Sequence, residues 1–319
     1  MKFSFGIIGC GKIAGNYKIN NKKFSENFTH SSAFIKYFYP LICIDKDIKK
    51  AKKFKKKWNY KFCDNKLNLS NKIIPDILIV SVDTSQHFQV LSKILKLKLK
   101  PKIVICEKPL TNNLKSAKII ISEFKKNKIK LVINYQRRWD KKNIFIQKKI
   151  KNNDFGEFRS GYCSYSKGIL NSASHFIDIF ILFFDNLNIK RLNGLSFNNS
   201  SIKDKTEHFA LCTKKKKIIS FLPIDSDENK NSEIKLFFSK YNLYSNDGCL
   251  SWKIQKNINR SILRYEKEEI KKFMPKEYPS IKNLALIVYN YLLTKKGINF
   301  NYYNKKDLKV HEMIEKLHE

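Results

Sequence analysis

The sequence predicts an α/β protein in two parts. Residues 1–136 should form a doubly wound parallel sheet, and residues 137–319 an α+β domain with a largely antiparallel sheet. Three observations carry this. In the first part, short runs of apolar, β-branched residues alternate with amphipathic helical patterns, as strands buried between two helical layers require. A glycine-rich turn, Gly9-Cys10-Gly11-Lys12-Ile13-Ala14-Gly15, directly follows the first of those runs. Beyond Arg137 the alternation gives way to strands with hairpin signals, the clearest being Asn246-Asp247-Gly248 ahead of alternating Leu250, Trp252 and Ile254.

Bulk properties narrow the classes. A chain of 319 residues exceeds one ordinary core, so two domains are expected. No run approaches the roughly 20 apolar residues of a membrane helix; the densest, Phe176 to Phe184, is short and contains Asp178. The opening run is broken by Gly6 and Gly9 and reads as a first strand, not a signal peptide. The seven cysteines are scattered without a Cys-x-x-Cys, which suits a reduced, cytoplasmic protein without structural zinc. No metal site is expected, since the histidines show no ligand-like spacing.

The net charge of +36 raises nucleic-acid binding. Only six arginines contribute, and lysine is spread over every segment beside abundant asparagine and isoleucine. Bidentate base and phosphate recognition favours arginine, so the charge reads as a lysine-rich surface instead. Such a surface still attracts anionic ligands such as phosphorylated or nucleotide-linked metabolites.

Element by element, Phe3 to Ile8 is the first strand. The turn after it is Gly-x-Gly-x-x-Ala opening a helix, the context in which that pattern binds a dinucleotide. Gly9 permits the tight turn, and Gly11 lets the backbone approach a pyrophosphate. Ala14 or Gly15 lets helix and strand pack closely. The N–H groups of Lys12, Ile13 and Ala14 would face the anion from the helix start. The second strand, Leu41 to Ile44, ends in Asp45, an acid placed to accept the adenosine ribose hydroxyls and to repel a 2′-phosphate, which favours NAD over NADP. Asp45 lies 34 residues after Gly11, against the usual ~20, and a polar insertion over Lys18 to Thr29 accounts for the excess. Asp47 suits the N-terminus of the basic helix Lys46 to Trp58.

A third strand (Tyr60 to Cys63), a fourth (Ile77 to Val80) and a helix (Gln86 to Leu99) with His87 on its apolar face follow. Then comes Ile103-Val104-Ile105-Cys106-Glu107-Lys108-Pro109, a buried strand ending in an acid and a base. Ligands in open α/β sheets sit at carboxyl strand ends, so Lys108 should stand over the crevice. Thr111 is placed to cap the next helix. The sixth strand, Lys130 to Asn134, runs into Tyr135-Gln136-Arg137-Arg138-Trp139. Arg137 and Arg138 either bind anionic substrate groups or pair with acids across the domain junction.

In the second part, a helix (Asp140 to Lys151) and a strand (Phe158 to Tyr165) precede Asn171-Ser172-Ala173-Ser174-His175-Phe176-Ile177-Asp178, which opens an apolar helix to Phe184. Helices return at Ser280 to Thr294 and Lys306 to Leu317.

Taken together, Gly9-x-Gly11-x-x-Ala14, Asp45-Lys46-Asp47, His87, Glu107-Lys108-Pro109, Asn134-Tyr135-Gln136-Arg137-Arg138 and His175-x-x-Asp178 resemble the glucose–fructose oxidoreductase / inositol dehydrogenase (Gfo/Idh/MocA) family, and the resemblance covers most of the chain. It implies a Rossmann cofactor domain and NAD(P)-linked chemistry at a hydroxyl of a sugar, cyclitol or nucleotide sugar. It implies that Lys108 is the active-site lysine, that Glu107 lies near the nicotinamide ribose, and that His175 handles the hydroxyl proton. Tyr135, Arg137, Arg138 and Asn171 become candidate substrate contacts, and His87 a candidate cofactor contact. A homodimer or homotetramer is expected.

Two departures bear on that resemblance. Relatives resembling inositol dehydrogenase carry an aspartate four residues before the histidine, where this chain has Asn171, which shifts weight from a His–Asp dyad to Lys108 and toward nucleotide-sugar substrates. Val82-Asp83 replaces the usual Thr-Pro. The alternative is a non-catalytic dinucleotide-sensing regulator on the same fold.

Overall fold

The computed structural model describes residues 2–17, 28–67, 73–98, 100–197, 204–225, 232–257, 271–273 and 280–318. The chain divides into two compact units: Met1–Trp139 with Glu277–His311, and Asp140–Lys276 with Glu312–Glu319. Where the sequence pattern put everything after residue 136 in the second domain, the chain instead returns to the first unit over 277–311. Ile281, Leu284, Ala285, Val288, Leu292 and Phe300 complete the same apolar core as Phe5, Ile7, Phe34 and Trp139. Periodicity marks helix Ser280–Thr294 as amphipathic but cannot say which core its apolar stripe joins.

The first unit holds six parallel strands: β1 (Ser4–Ile8), β2 (Tyr39–Ile44), β3 (Phe62–Asp64), β4 (Ile77–Val80), β5 (Ile103–Glu107) and β6 (Lys130–Asn134). Their spatial order is β3-β2-β1-β4-β5-β6, the doubly wound order, with the direction of winding reversing between β1 and β4. β4 is buried at all four positions and β5 at its first four, which is why these strands read as unbroken apolar runs.

Before the chain leaves this unit it forms helices α1 (His30–Phe34), α2 (Ile48–Trp58), α3 (Thr84–Leu95) and α4 (Leu114–Lys126). Asp47 caps α2 as expected, accepting from the backbone N–H groups of Lys49 and Lys50. The cap of α4 is Asn113, not Thr111. Asn113 Oδ1 accepts from Ser116 N at 2.8 Å, while the Thr111 hydroxyl donates to the Asn113 carbonyl.

The element after the glycine motif also differs from expectation. It is a single wide turn, Lys12–Asn16, closed by bonds from Asn16 N to Gly11 O and from Tyr17 N to Lys12 O. Gly15 leaves the helical path at φ 174°, and a Cβ there would lie 2.3 Å from Trp58 Nε1. Close packing against α2 thus ends the turn. Of the expected insertion, residues 18–27 lie outside the described residues.

The second unit carries β7 (Phe158–Tyr165), β8 (Leu187–Phe197), β9 (Thr206–Thr213), β10 (Ile218–Pro223), β11 (Ile234–Phe238), β12 (Tyr241–Ser245), β13 (Trp252–Lys256) and β14 (Lys271–Phe273). They form one sheet, β14-β13-β12-β11-β7-β10-β9-β8, antiparallel except for the β7–β10 pair. Helices α5 (Lys141–Lys151) and α6 (Ser174–Phe184) accompany it. α6 lays Phe180, Phe183 and Phe184 against Phe221, Trp252 and Phe238 on the inward face. Trp252 Nε1 donates to Asn143 Oδ1 of α5 at 2.8 Å, so the buried indole is satisfied. The remaining helices are α7 (Ser280–Thr294) and α8 (Phe300–His318). α8 starts six residues earlier than its apolar pattern suggested because Asn299 Oδ1 accepts from Tyr302 N. Among the described residues, no helix is long and apolar enough to cross a membrane. All seven cysteines are free thiols.

Candidate active site

The carboxyl ends of β1, β2 and β4 border a cavity of about 630 Å³, lined among others by Gly9, Gly11, Asp45, Ser81 and Val82. This is the crevice that a switch point opens. Gly9 has φ +92°, and a Cβ on it would meet Ser81 O at 2.6 Å, so only glycine fits. Ser81 reinforces this approach by donating its hydroxyl to Gly9 O. Gly11 is the opposite case, for a Cβ there meets nothing within 4 Å. That open space is what a close-approaching pyrophosphate needs. Lys12 is exposed, Ile13 half-buried and Ala14 fully buried in the core, so Ala14 acts through packing.

Asp45 is 7% exposed. Its Oδ2 accepts from Cys10 N at 2.8 Å and from Lys50 Nζ at 3.2 Å, and its Oδ1 from Asp47 N at 3.1 Å. Burial pushes its carboxyl up, but the two backbone bonds and Lys50 outweigh that and hold it below the usual range. The Cys10 thiol beside it is pushed far up, by its bond to the Cys43 thiol and by burial. It is no nucleophile.

The second cluster of this unit is built around the end of β5. Glu107 Oε1 accepts from His30 Nε2 and from Asn134 Nδ2, both at 2.7 Å. Burial raises this carboxyl, yet the His30 and Asn134 bonds and the Lys108 charge leave it lowered. Lys108 is half-buried, and the Lys108–Pro109 peptide is cis. His87 is fully buried, with Nδ1 2.9 Å from Pro109 O and Nε2 3.0 Å from Val82 O, so its ring ties together the loops that follow β4 and β5.

Of its two expected roles, Arg138 takes the pairing with an acid. It is 2% exposed, ion-paired with Asp307 of α8, and lies 4.8 Å over the ring of Tyr135. A guanidinium enclosed in this way does not meet substrate. Tyr135 is itself 1% exposed, and Arg137 is half-buried.

In the second unit, the chain enters α6 through a wide turn, Ile169–Ala173. Asn171 on this turn is exposed and His175, one turn on, is half-buried; Asp178 is fully buried and therefore structural. The turn hangs on Asp204, whose carboxylate accepts from Leu170 N at 3.0 Å and Asn171 N at 2.8 Å.

Sequence reasoning missed His30 and Asp204, and gave Asn134 a place in a motif but no role. Only Asn134 left a signal, since it ends β6 in register with Glu107. Among the described residues, no cluster of three or more His, Cys, Asp or Glu side chains is arranged for a metal ion.

Residues 3–135 match the GFO_IDH_MocA family, described as an oxidoreductase family with an NAD-binding Rossmann fold. The match spans all six strands of the parallel sheet. No curated protein sequence matches the chain. Among solved structures, the 3-ketoreductase KijD10 from Actinomadura kijaniata, in complex with NADP, superposes with a TM-score of 0.75 at 14% identity, covering 98% of this chain and 96% of its own. UDP-N-acetylglucosamine 3-dehydrogenase GnnA from Acidithiobacillus ferrooxidans gives 0.72 at 11% identity and 99% coverage of both chains. An oxidoreductase from Agrobacterium radiobacter, in complex with NAD+, L-tartaric acid and magnesium, gives 0.70 at 14% identity, covering 99% of this chain and 95% of that one. At these identities the likeness establishes a shared fold over essentially the whole chain.

Proposed function

We propose that this chain is an NAD(P)-dependent oxidoreductase that moves a hydride between nicotinamide and a hydroxyl or keto carbon of a sugar or nucleotide sugar. The observation that carries the reading is the end of β5. There a half-buried lysine follows a carboxylate anchored by two hydrogen bonds, at the ligand-binding edge of a family Rossmann sheet. Fold neighbours that include a 3-ketoreductase and a nucleotide-sugar 3-dehydrogenase support the substrate class.

Gly9, Gly11 and the backbone of Lys12 and Ile13 would hold the pyrophosphate, and Asp45 the adenosine ribose. Bound there, the dinucleotide supplies the carbon that takes or gives the hydride. Lys108 supplies positive charge where an alkoxide develops, and His175 takes or returns the hydroxyl proton. Asn171 and Arg137 orient the substrate. Asp45 makes NAD the stronger cofactor, and Lys50 offsets enough of its charge that NADP binds more weakly rather than not at all. The working form is a cytoplasmic homodimer or homotetramer.

The test is reduced-cofactor formation with NAD and with NADP over nucleotide sugars, nucleotide-sugar uronates, free sugars and inositols, for wild type, Lys108→Ala and His175→Ala. Turnover of one class that collapses in both variants is the expected result. Tight NAD binding without turnover of any class would favour a dinucleotide sensor, and no binding would end the reading.

A further inference from the structure

The Glu107 carboxylate is unusual in how it is held. Both of its donors reach the same oxygen, Oε1, and they come from different parts of the fold: His30 from α1 and Asn134 from β6. Both are 0% exposed. His30 heads α1 behind a Thr29–Ser32 capping box, so its backbone is fixed as well. Since the acceptor is a carboxylate, the imidazole Nε2 carries the proton, while Nδ1 has no hydrogen-bond partner among the described residues. A buried imidazole that leaves one nitrogen unsatisfied is costly as mere filling, and its one polar contact among the described residues is with the residue that precedes Lys108.

We propose that His30 is a positioning residue of the active site, which, with Asn134, locks Glu107 as an anion in one rotamer and so fixes the charge beside Lys108 and the direction of that lysine. The inference rests on the oxidoreductase reading for the role of Lys108. The charged and titratable groups facing Glu107 are His30 from α1 and Lys108 from the strand end, with the Cys106 thiol alongside and Asp307 of α8 acting on that thiol. Asn134 is the neutral donor. Hydrogen bonding to a carboxylate stabilises its charged form, so losing a donor makes Glu107 easier to protonate. The neutral acid no longer holds the lysine, and this happens first at low pH.

The experiment compares wild type, His30→Leu, His30→Gln, Asn134→Leu, Glu107→Gln and the His30→Leu/Glu107→Gln double variant. It reads kcat and KM separately, and the NADH dissociation constant, each from acid to neutral pH. His30→Leu is expected to lower kcat about tenfold to hundredfold with KM nearly unchanged, as displaced supporting groups do. It should also move the acid limb of both profiles up by about one pH unit or more. His30→Gln keeps a donor and should return both toward wild type. In the Glu107→Gln background His30→Leu should do almost nothing further, because the two act as one unit. Asn134→Leu removes the second donor from another element and gives the same reading if His30→Leu does not fold. Profiles left at their wild-type positions, or shifted equally with and without the Glu107 carboxylate, would overturn the inference. If the wild type turns over no sugar yet its NADH binding shows the Glu107-dependent shift, the anchor stands and the oxidoreductase reading fails.

Discussion

Gly9 and Gly11 belong to one motif but do different work. A Cβ on Gly9 would strike the Ser81 backbone at a φ that side chains rarely adopt, whereas on Gly11 it would enter open space. Gly9→Ala should therefore cost about 1–3 kcal/mol of stability, read as a lower urea midpoint. Gly11→Val should melt like wild type and bind NADH at least about tenfold more weakly, because the branched side chain occupies the space a pyrophosphate needs. Undiminished binding by Gly11→Val would remove the pyrophosphate from this loop. These residues were legible because each announces itself locally: glycines at fixed offsets after a strand, an acid at the end of the next. His30 could not announce itself, because its partner lies 77 residues further along the chain. Arg138 stayed between two roles for the same reason, since its partner Asp307 is 169 residues away.

At the level of elements, strand and helix bounds followed hydrophobic pattern closely. β6, β7 and α7 begin and end where the sequence indicates, while turns and caps were harder to read. Periodicity counts apolar residues, but a cap depends on which of several small polar side chains reaches a free N–H. The turn Ile169–Ala173 is the functional example. Its leading N–H groups at Leu170 and Asn171 are satisfied from β9's approach by Asp204, and Gly168 at φ +85° leaves no room for a Cβ, which would lie 2.2 Å from that carboxylate. Asp204→Ala should cost about 1 kcal/mol in global stability, the value of a lost cap. On the proposed function it should lower kcat more than that loss implies, because Asn171 rides on the turn and His175 follows it at the start of α6. A variant as active as wild type would show that α6 alone sets their positions.

For the whole molecule, the return of residues 277–311 to the first unit makes the C-terminal helices part of the cofactor domain's stability. Two groups on α8 show it. His311 is 4% exposed, and burial lowers its pKa to about 4. A histidine depressed on folding contributes stability above its unfolded value, and that contribution is lost as pH falls from about 6.5 toward 4. Below that, the lowered carboxyls of Asp45 and Glu107 lose theirs as well, as does that of Asp76, which burial raises but Lys102 and the Ser4 N–H together hold low. The urea midpoint should thus begin to fall near pH 6.5, and His311→Leu should abolish this first step while leaving the later one. An unchanged curve in His311→Leu would place the upper step elsewhere. One turn earlier, Asp307 faces Arg138 in an enclosed ion pair whose side chains are 1% and 0% exposed. Removing one partner strands the other charge in a dry site, so Asp307→Leu should cost about 3–5 kcal/mol. Replacing both, as Arg138→Met with Asp307→Leu, removes the stranded charge and should recover most of that loss, because apolar packing does as well as a desolvated pair. Equal losses in the single and double variants would mean that Arg138 is held by its place over Tyr135 and Tyr303, at 4.8 and 5.6 Å, rather than by Asp307.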